Sequence, residues 1–246
     1  PVGLESVDRY ENVFSTYTPG WVFLAPKQVL GAKLYYEFND HWNFDLAVVN
    51  SMNNVNAGNS AFPSGIFRVG AQWGDEGRMS YVHLALGYGP EHSAVTAQAV
   101  GQNKHYDMYG NLWGNWALGD YWDLGWEATY RQTNTAAAAG GANQKALAGQ
   151  LYGVYQPSDV WTVQARGAAF WEINPANARG GSGASLTGGN WSGFEGITYS
   201  GTVGATYQIT DGAQMKLEYR FDYTKVAGAA FNADFHTGVA EFAYSF

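Results

Sequence analysis

Apolar and polar residues alternate over stretches of about ten residues, and such stretches recur along the 246-residue sequence. The clearest runs from Met215 to Thr224: every second residue from Met215 to Tyr223 is apolar, and those between are Lys, Glu, Arg and Asp. Successive side chains of a β-strand point to opposite faces, so this pattern predicts a strand with one apolar and one charged face. Similar alternation begins at Ala32, Trp42, Phe67, Trp122, Trp161 and Ile197.

The repeated alternation predicts an all-β protein with eleven antiparallel strands. Leu and Glu, which favour helices, are scarce, whereas 32 Gly, 17 Tyr and 10 Trp residues are typical of strands joined by tight turns. The predicted strands span residues 28–38, 41–50, 65–73, 78–89, 104–118, 121–133, 144–156, 160–173, 196–209, 213–225 and 233–246.

The predicted connections are alternately short and long. The short ones consist mainly of Asp, Asn, Gly, Ser and Pro, which favour tight turns, at 39–40, 74–77, 119–120, 157–159 and 210–212. The long ones are rich in Gly, Asn, Ser and Ala, at 51–64, 90–103, 134–143, 174–195 and 226–232. Short turns at one end and long loops at the other are typical of an outer-membrane barrel. The longest loop, 174–195, either folds inward as a constriction or lies outside.

The lengths and faces of the strands favour a membrane over water. A tilted strand of about twelve residues covers about 30 Å, the thickness of a bilayer core. A soluble barrel of eleven strands would be too wide for side chains to fill, and the strands of a soluble sandwich are shorter. No run of 18 or more apolar residues occurs, so no transmembrane helix is expected. The sequence therefore predicts a transmembrane antiparallel up-and-down β-barrel, closed so that every backbone group is paired.

The charged residues of the strands fall on one face, which would line the lumen of such a barrel. Mid-strand positions of the opposite face carry no charge, and a charge there would cost about 2–4 kcal/mol at mid-depth. Nine of the candidate lining residues are acidic and six are basic, so a mild cation preference is expected. Alternatively, many of them pair across strands and stiffen the wall. The predicted pore-lining residues are Lys33, Glu37, Asp45, Arg68, Asp107, Asp123, Glu127, Arg131, Arg166, Glu172, Lys216, Glu218, Arg220, Asp222 and Glu241.

Aromatic residues of the apolar face are expected to form a belt at the membrane–water interface. Three short turns lead into Trp42, Trp122 and Trp161, which places indole rings at one rim. The alternating aromatic residues from Phe242 to Phe246 resemble the terminal recognition signal of bacterial outer-membrane barrels. The predicted lipid-facing aromatic belt comprises Trp42, Trp73, Trp122, Trp126, Trp161, Trp171, Tyr219, Phe221, Tyr244 and Phe246.

Composition and spacing argue against several other classes of protein. The absence of Cys excludes disulfides, thiolate zinc sites and iron–sulfur clusters. A formal net charge of -8 without any Lys/Arg run argues against nucleic acid as a partner. His83 and His105 lie on neighbouring predicted strands but lack a third metal ligand, and Ser80 and His83 fall on opposite faces. We therefore expect no catalytic residues, no metal and no cofactor.

The stretch from Glu11 to Asn54, ENVFSTYTPGWVFLAPKQVLGAKLYYEFNDHWNFDLAVVNSMNN, resembles the OmpL-like outer-membrane β-barrel porins. The resemblance lies in an irregular segment with aromatic residues and Pro, then LGAKLYYEFND, then a strand ending in Val-Val-Asn before a polar loop. Residues 1–5 are also similar to a TPLGYE-like segment of that family, whereas the remainder shares only the rhythm of strands. The resemblance implies a bacterial outer-membrane barrel of about sixteen strands, with about five preceding residue 1.

The total number of strands stays open from the residues alone, because single-chain bacterial barrels have an even number. Either residues 12–18 supply a short twelfth strand, or the eleven strands belong to a larger barrel of about sixteen. Residues 1–27 are predicted to be an irregular segment that folds into the lumen or follows missing N-terminal strands. Residues 28–246 are predicted to form the transmembrane barrel.

Together these features predict an outer-membrane porin, a water-filled channel for passive diffusion of small polar solutes and ions. The alternative is a non-conducting outer-membrane barrel that acts as an adhesin, a scaffold or a sheath for a partner protein. Expected partners are outer-membrane lipid and lipopolysaccharide outside and small polar solutes inside. A homotrimer is an expectation by analogy with other porins. Neither a nucleic-acid partner nor enzymatic activity is expected.

Overall fold

Eleven antiparallel strands form one sheet in which each strand pairs with its neighbours along the chain. The computed structural model of the protein describes residues 14–19, 24, 30–50, 63–75, 78–90, 106–134, 143–173, 196–226 and 233–244. The strands are β1 (Gly31–Asn39), β2 (Trp42–Val49), β3 (Ser64–Asp75), β4 (Arg78–Pro90), β5 (Tyr106–Leu118), β6 (Trp122–Asn134), β7 (Asn143–Ser158), β8 (Trp161–Glu172), β9 (Gly196–Thr210), β10 (Ala213–Val226) and β11 (Ala233–Tyr244). The prediction of an all-β, up-and-down arrangement of eleven strands is confirmed, and observed and predicted bounds differ by at most 3 residues.

The alternation seen in the sequence becomes a difference in burial between the two sides of each strand. In β10, Lys216 and Glu218 are buried, whereas Leu217 and Tyr219 between and beside them are about half exposed. A soluble sheet would show the opposite distribution. Within the described residues, no helix has the length and apolarity needed to cross a membrane.

Tight turns join the strands in pairs at one end of the sheet. The Asn39 side chain accepts hydrogen bonds from the backbone N–H groups of His41 and Trp42, at 2.9 and 3.0 Å, which closes the turn between β1 and β2. Gly119, between β5 and β6, has a φ of 61°, a conformation that glycine adopts without strain. The predicted long loops at the other end, 174–195 included, lie almost entirely outside the described residues, so predictions about them stay predictions.

The two outermost strands differ from the rest of the sheet. In the described part of the chain, β1 pairs with β2 alone and β11 with β10 alone. Every residue of β1 is exposed, as are most residues of β11. Residues 14–18 do not belong to the sheet, so a twelfth strand over 12–18 is wrong for these described residues. In a bilayer, the outer backbone groups of β1 and β11 therefore require a further partner.

Candidate functional site

All fifteen residues predicted to line a pore project from the same side of the sheet, which we call the polar face. Residues directly opposite each other on antiparallel strands point to the same side, and the strand register connects them from β1 to β11. One row of opposite residues consists of Glu37, Asn43, Gly70, His83, Trp113, Glu127, Gln150, Ala168, Ser200 and Asp222.

The polar face is the enclosed side of the sheet. Asp107, Arg131 and Glu172 on this face are buried, while Leu151 and Val203 on the opposite, apolar face are 54% exposed. Buried charges need ionic or hydrogen-bonding partners, because their transfer from water is costly. The polar face must therefore be an organised network, whereas the apolar face requires an apolar environment.

Arginine–aspartate pairs form part of this network. Arg131 Nε lies 3.0 Å from both carboxylate oxygens of Asp107, and each of the two side chains is 2% exposed. Arg220 forms a two-point contact with Asp222, through Nε at 2.7 Å and Nη2 at 2.6 Å. Two-point pairs of this kind fix the orientation of both groups. These residues thus hold the wall rigid as well as supplying charge.

A third pair of contacts links neighbouring strands through an acidic residue. Glu127 of β6 accepts hydrogen bonds from Asn111 Nδ2 of β5 at 2.5 Å and from Gln150 Nε2 of β7 at 2.6 Å. Thr129 Oγ1 accepts a further bond from Asn111 Nδ2 at 2.9 Å. The uncharged partners in this network were missed by sequence reasoning, although their parity within the strands would have placed them on the same face.

Residues 14–17 lie against the polar face of β7, β8 and β10, and the backbone N–H groups of Ser15 and Thr16 are bound by one carboxylate. Glu218 Oε2 accepts hydrogen bonds from Ser15 N at 2.7 Å and from Thr16 N at 3.4 Å. Glu218 Oε1 also accepts a bond from the Thr16 hydroxyl. A segment outside the sheet must satisfy its backbone groups by other means, and here a wall side chain does so.

Two arginines bind backbone carbonyl groups of this segment, those of Thr16 and Tyr17. Arg166 Nη2 donates to Thr16 O at 2.8 Å, and the Arg166 guanidinium carbon lies 4.3 Å from the centroid of the Phe14 ring. Arg220 Nη1 donates to Tyr17 O. The segment is therefore held at both kinds of backbone group, with an additional cation–π contact.

Two apolar contacts accompany these polar ones. The Phe14 ring meets the Tyr152 ring edge-on, with centroids 6.1 Å apart and planes at 75°. Tyr152 in turn lies across Gly125 on the neighbouring strand, where a Cβ atom would overlap its ring. Gly125 thus leaves the space in which the aromatic contact forms.

Leu24 makes a second, separate contact with the polar face. Its side chain is fully buried against Ala146, Ala148 and Phe170. Its carbonyl oxygen accepts a hydrogen bond from Arg131 Nη1 at 3.0 Å. Because most of residues 1–27 lie outside the described residues, the prediction that this whole segment folds inward stays a prediction.

The residues predicted for the aromatic belt lie on the apolar face at three different heights. Next to the short turns are Trp42, Trp73, Trp122, Trp161 and Tyr244. Trp126, Tyr219 and Phe221 lie nearer mid-strand, Trp171 lies at the opposite end, and Phe246 falls outside the described residues. The sequence missed Tyr155 and Tyr207, whose rings pack against Trp122 and Trp161 at centroid distances of 4.5 and 4.8 Å.

His83 and Ser80 make packing and hydrogen-bond contacts within the sheet. His83 stacks on Trp113 at a centroid distance of 5.1 Å, and the Ser80 hydroxyl accepts a hydrogen bond from Ala117 N at 3.0 Å. His105 lies outside the described residues. Among the residues that the structure does describe, no group of three or more His, Asp or Glu side chains is arranged to hold a metal ion.

Comparison with known proteins agrees with a sheet whose charged face is buried and whose apolar face is exposed. Residues 1–246 match the model of the family described as beta-barrel porin-2, OmpL-like (BBP2). Comparison with curated protein sequences gave no match. The fold is similar to the crystal structure of the outer membrane channel DcaP of Acinetobacter baumannii, with a TM-score of 0.65 and 11% sequence identity. That match covers 98% of this chain and 67% of the DcaP chain.

The fold and the charged face thus define a transmembrane β-barrel protein of the bacterial outer membrane. The chain belongs to the OmpL-like beta-barrel porin-2 family, as the resemblance of residues 11–54 indicated. Membership of a porin family points to a channel rather than an enzyme.

Proposed function

We propose that this chain forms the wall of a water-filled outer-membrane channel through which small polar solutes and ions diffuse passively. The inverted burial of the sheet carries this proposal: charged side chains occupy the enclosed face and large apolar side chains the exposed one. Outer-membrane barrels have this distribution because their exterior meets lipid and their interior meets water. Membership of the porin family supports the same function.

The channel requires a closed barrel, and the outer edges of β1 and β11 are where closure would occur. If the eleven strands correspond to the 67% of DcaP that the match covers, a complete barrel of this kind has about sixteen strands. We therefore propose that further strands complete the barrel between β11 and β1. An even total also agrees with the rule for single-chain bacterial barrels.

The fifteen charged residues of the polar face are proposed to line the channel. Their nine acidic and six basic members leave an acidic surplus, which favours cations in the passage. The preference is expected to be mild, because contacts such as Arg131–Asp107 and Arg220–Asp222 neutralise part of the charge locally. Small polar solutes of either sign can pass if the channel is wide enough.

The apolar face is proposed to contact outer-membrane lipid and lipopolysaccharide, with the aromatic residues beside the short turns at one interface. Indole and phenol rings favour this depth because they combine an apolar body with a polar group. A homotrimer is proposed by analogy with other porins, and its mass in detergent is the measurement that tests it.

Single-channel recording of the purified, full-length protein in a planar bilayer tests the proposed function. We expect steady ohmic current steps and, in a salt gradient, a reversal potential on the cation-selective side. In a variant with Glu37→Gln and Glu241→Gln, which removes two of the nine acidic charges, the reversal potential should move toward zero.

Absence of current from protein that is demonstrably folded and inserted would contradict the channel. It would favour the non-conducting alternative, in which the barrel serves as an adhesin, a scaffold or a sheath. A reversal potential on the anion-selective side would contradict only the proposed cation preference.

A further inference from the structure

Charged wall residues of the polar face bind the main chain of residues 14–17 from two strands. Glu218 and Arg220 of β10 and Arg166 of β8 supply these contacts. The carboxylate accepts from backbone N–H groups, and the two guanidinium groups donate to backbone carbonyl groups. Each partner therefore has the charge that matches the backbone group it meets.

These contacts recognise backbone more than side chains. The carbonyl groups of Thr16 and Tyr17 and the N–H groups of Ser15 and Thr16 are satisfied without any neighbouring strand. Hydrogen bonds with a charged partner are among the stronger ones in proteins. Together they provide a reason for residues 14–17 to lie against the wall instead of in water.

The register of the sheet explains how three wall side chains can bind four backbone groups of this segment. Arg166 and Arg220 both lie opposite Thr202, which places the two guanidinium groups in one row across β8, β9 and β10. Glu218 is on the same face as Arg220, two residues closer to the short turns. This layout presents donors and an acceptor side by side, as an irregular piece of backbone requires.

Leu24 provides a second fixed point further along the sheet. It is bound through its carbonyl group by Arg131 of β6 and through its side chain by residues of β7 and β8. The contacts of residues 14–17 and of Leu24 therefore extend over the polar face from β6 to β10. Any chain held there occupies space that a solute would otherwise use.

We propose that residues 14–17 form a constriction of the channel, and that Arg166, Glu218 and Arg220 are positioning residues that hold it against the wall. This inference rests on the proposed channel function. The positively and negatively charged wall residues then have a second task besides setting the field in the lumen: they fix the width of the passage. Loss of these contacts releases the segment and widens the passage.

Conductance of matched variants tests the role of the positioning residues. Each charge-assisted hydrogen bond that is lost should change the ratio of docked to released segment by about ten- to a hundred-fold. We expect the double variant Arg166→Ala/Glu218→Ala to have a larger single-channel conductance than the wild type. The control Lys225→Ala/Asp234→Ala also removes one basic and one acidic residue, but on the apolar face at the end of β10 and β11 far from the short turns, and should leave the conductance near the wild-type value.

Chemical crosslinking tests the position of the segment without any current. The natural chain has no Cys, so the double variant Phe14→Cys/Tyr152→Cys contains a single pair of thiols, at positions whose rings are 6.1 Å apart between centroids. A short bis-thiol reagent should join this pair. It should not join the control pair Phe14→Cys/Asn43→Cys, whose second residue lies on the polar face of β2.

The two measurements combine into a rescue experiment. Crosslinking of the Phe14→Cys/Tyr152→Cys pair within the Arg166→Ala/Glu218→Ala background should return the conductance toward the wild-type value. This result would show that the larger conductance came from release of the segment and not from a misfolded wall.

The inference is overturned if the Phe14→Cys/Tyr152→Cys pair does not crosslink in folded protein. It is also overturned if wild type and Arg166→Ala/Glu218→Ala conduct equally while the wild type conducts measurably. If neither the wild type nor any variant conducts, the proposed channel function fails instead. That result differs from failure of the inference, in which the wild type conducts but the variant conducts no more than it does.

Discussion

Two ion pairs on the polar face have the same chemistry and very different surroundings. At the edge of the sheet, Lys33 Nζ of β1 lies 3.5 Å from Asp45 Oδ1 of β2, and the Lys33 side chain is 60% exposed. In the middle, Arg131 and Asp107 are each 2% exposed and are joined by a two-point contact. Alternation along the strands places all four residues on one face, but their depth depends on what lies in front of that face.

The difference follows from the neighbours of each pair. Arg131 also donates to the carbonyl group of Leu24, so an additional piece of chain covers the middle of the sheet. β1 is the outermost strand, and all of its residues are exposed. The contribution of a charged residue on this face to stability is therefore set by its position across the sheet. A buried pair that loses one partner is strongly destabilised, whereas an exposed pair contributes little.

The largest expected effect comes from breaking the buried pair. Asp107→Ala leaves the Arg131 guanidinium buried without its carboxylate and should lower the free energy of unfolding by about 3–5 kcal/mol. Denaturant unfolding in lipid vesicles, followed by tryptophan fluorescence, measures this change. The double variant Asp107→Leu/Arg131→Met should recover much of the loss, because replacing both charges by apolar groups is often close to neutral. A loss below about 1 kcal/mol for Asp107→Ala would show that water reaches the pair.

An intermediate effect is expected when a charge is introduced on the apolar face. Leu151→Arg places a cation on the apolar face of β7 and should cost about 2–4 kcal/mol if that face meets lipid near mid-depth. Val154→Arg, on the polar face of the same strand, is the matched control and should cost much less. The same unfolding measurement compares the two. Equal costs would contradict the assignment of the apolar face to lipid.

The smallest effect is expected at the edge of the sheet. Lys33→Ala removes the exposed partner of Asp45 and should change the free energy of unfolding by less than about 1 kcal/mol. Asp45 keeps its contact with Arg68, so no buried carboxylate is left without a partner. A loss as large as that of Asp107→Ala would contradict the dependence of this energetic cost on position across the sheet.

The sequence predicted the strands and their faces because both depend on local spacing. In β10, a period of two separates Leu217 and Tyr219 from Glu218 and Arg220, and the structure keeps that separation. The burial of individual charged residues could not be predicted in the same way. Lys33 and Arg131 occupy equivalent positions in alternating stretches of the sequence, although the first is exposed and the second is buried. The assignment of the fifteen charged residues to a pore remains a prediction, although all of them lie on one face.

Contacts between distant parts of the chain could not be predicted at all. Ser15 and Glu218 are separated by 203 residues, and no periodicity connects an irregular segment to one position on a strand. For the aromatic residues, parity identified the face of Trp126 and Trp171 but carried no information on their height along the strands, so the belt itself stays a prediction. Height follows from register, which the structure supplies through pairs such as Trp126–Leu151 and Trp171–Leu147.

The wide separation of the residues that hold the 14–17 segment also imposes an order on assembly. Residues 14–17 leave the ribosome long before Arg166, Glu218 and Arg220, at sequence distances of 150 to 203 residues. Contacts of such range form slowly, because the intervening chain must first be ordered. Residues 14–17 can bind these side chains only after β8, β9 and β10 have paired with one another. Among the described elements, residues 14–17 are thus synthesised early but reach their final position late. Until they do, they do not cover the polar face of β8 to β10.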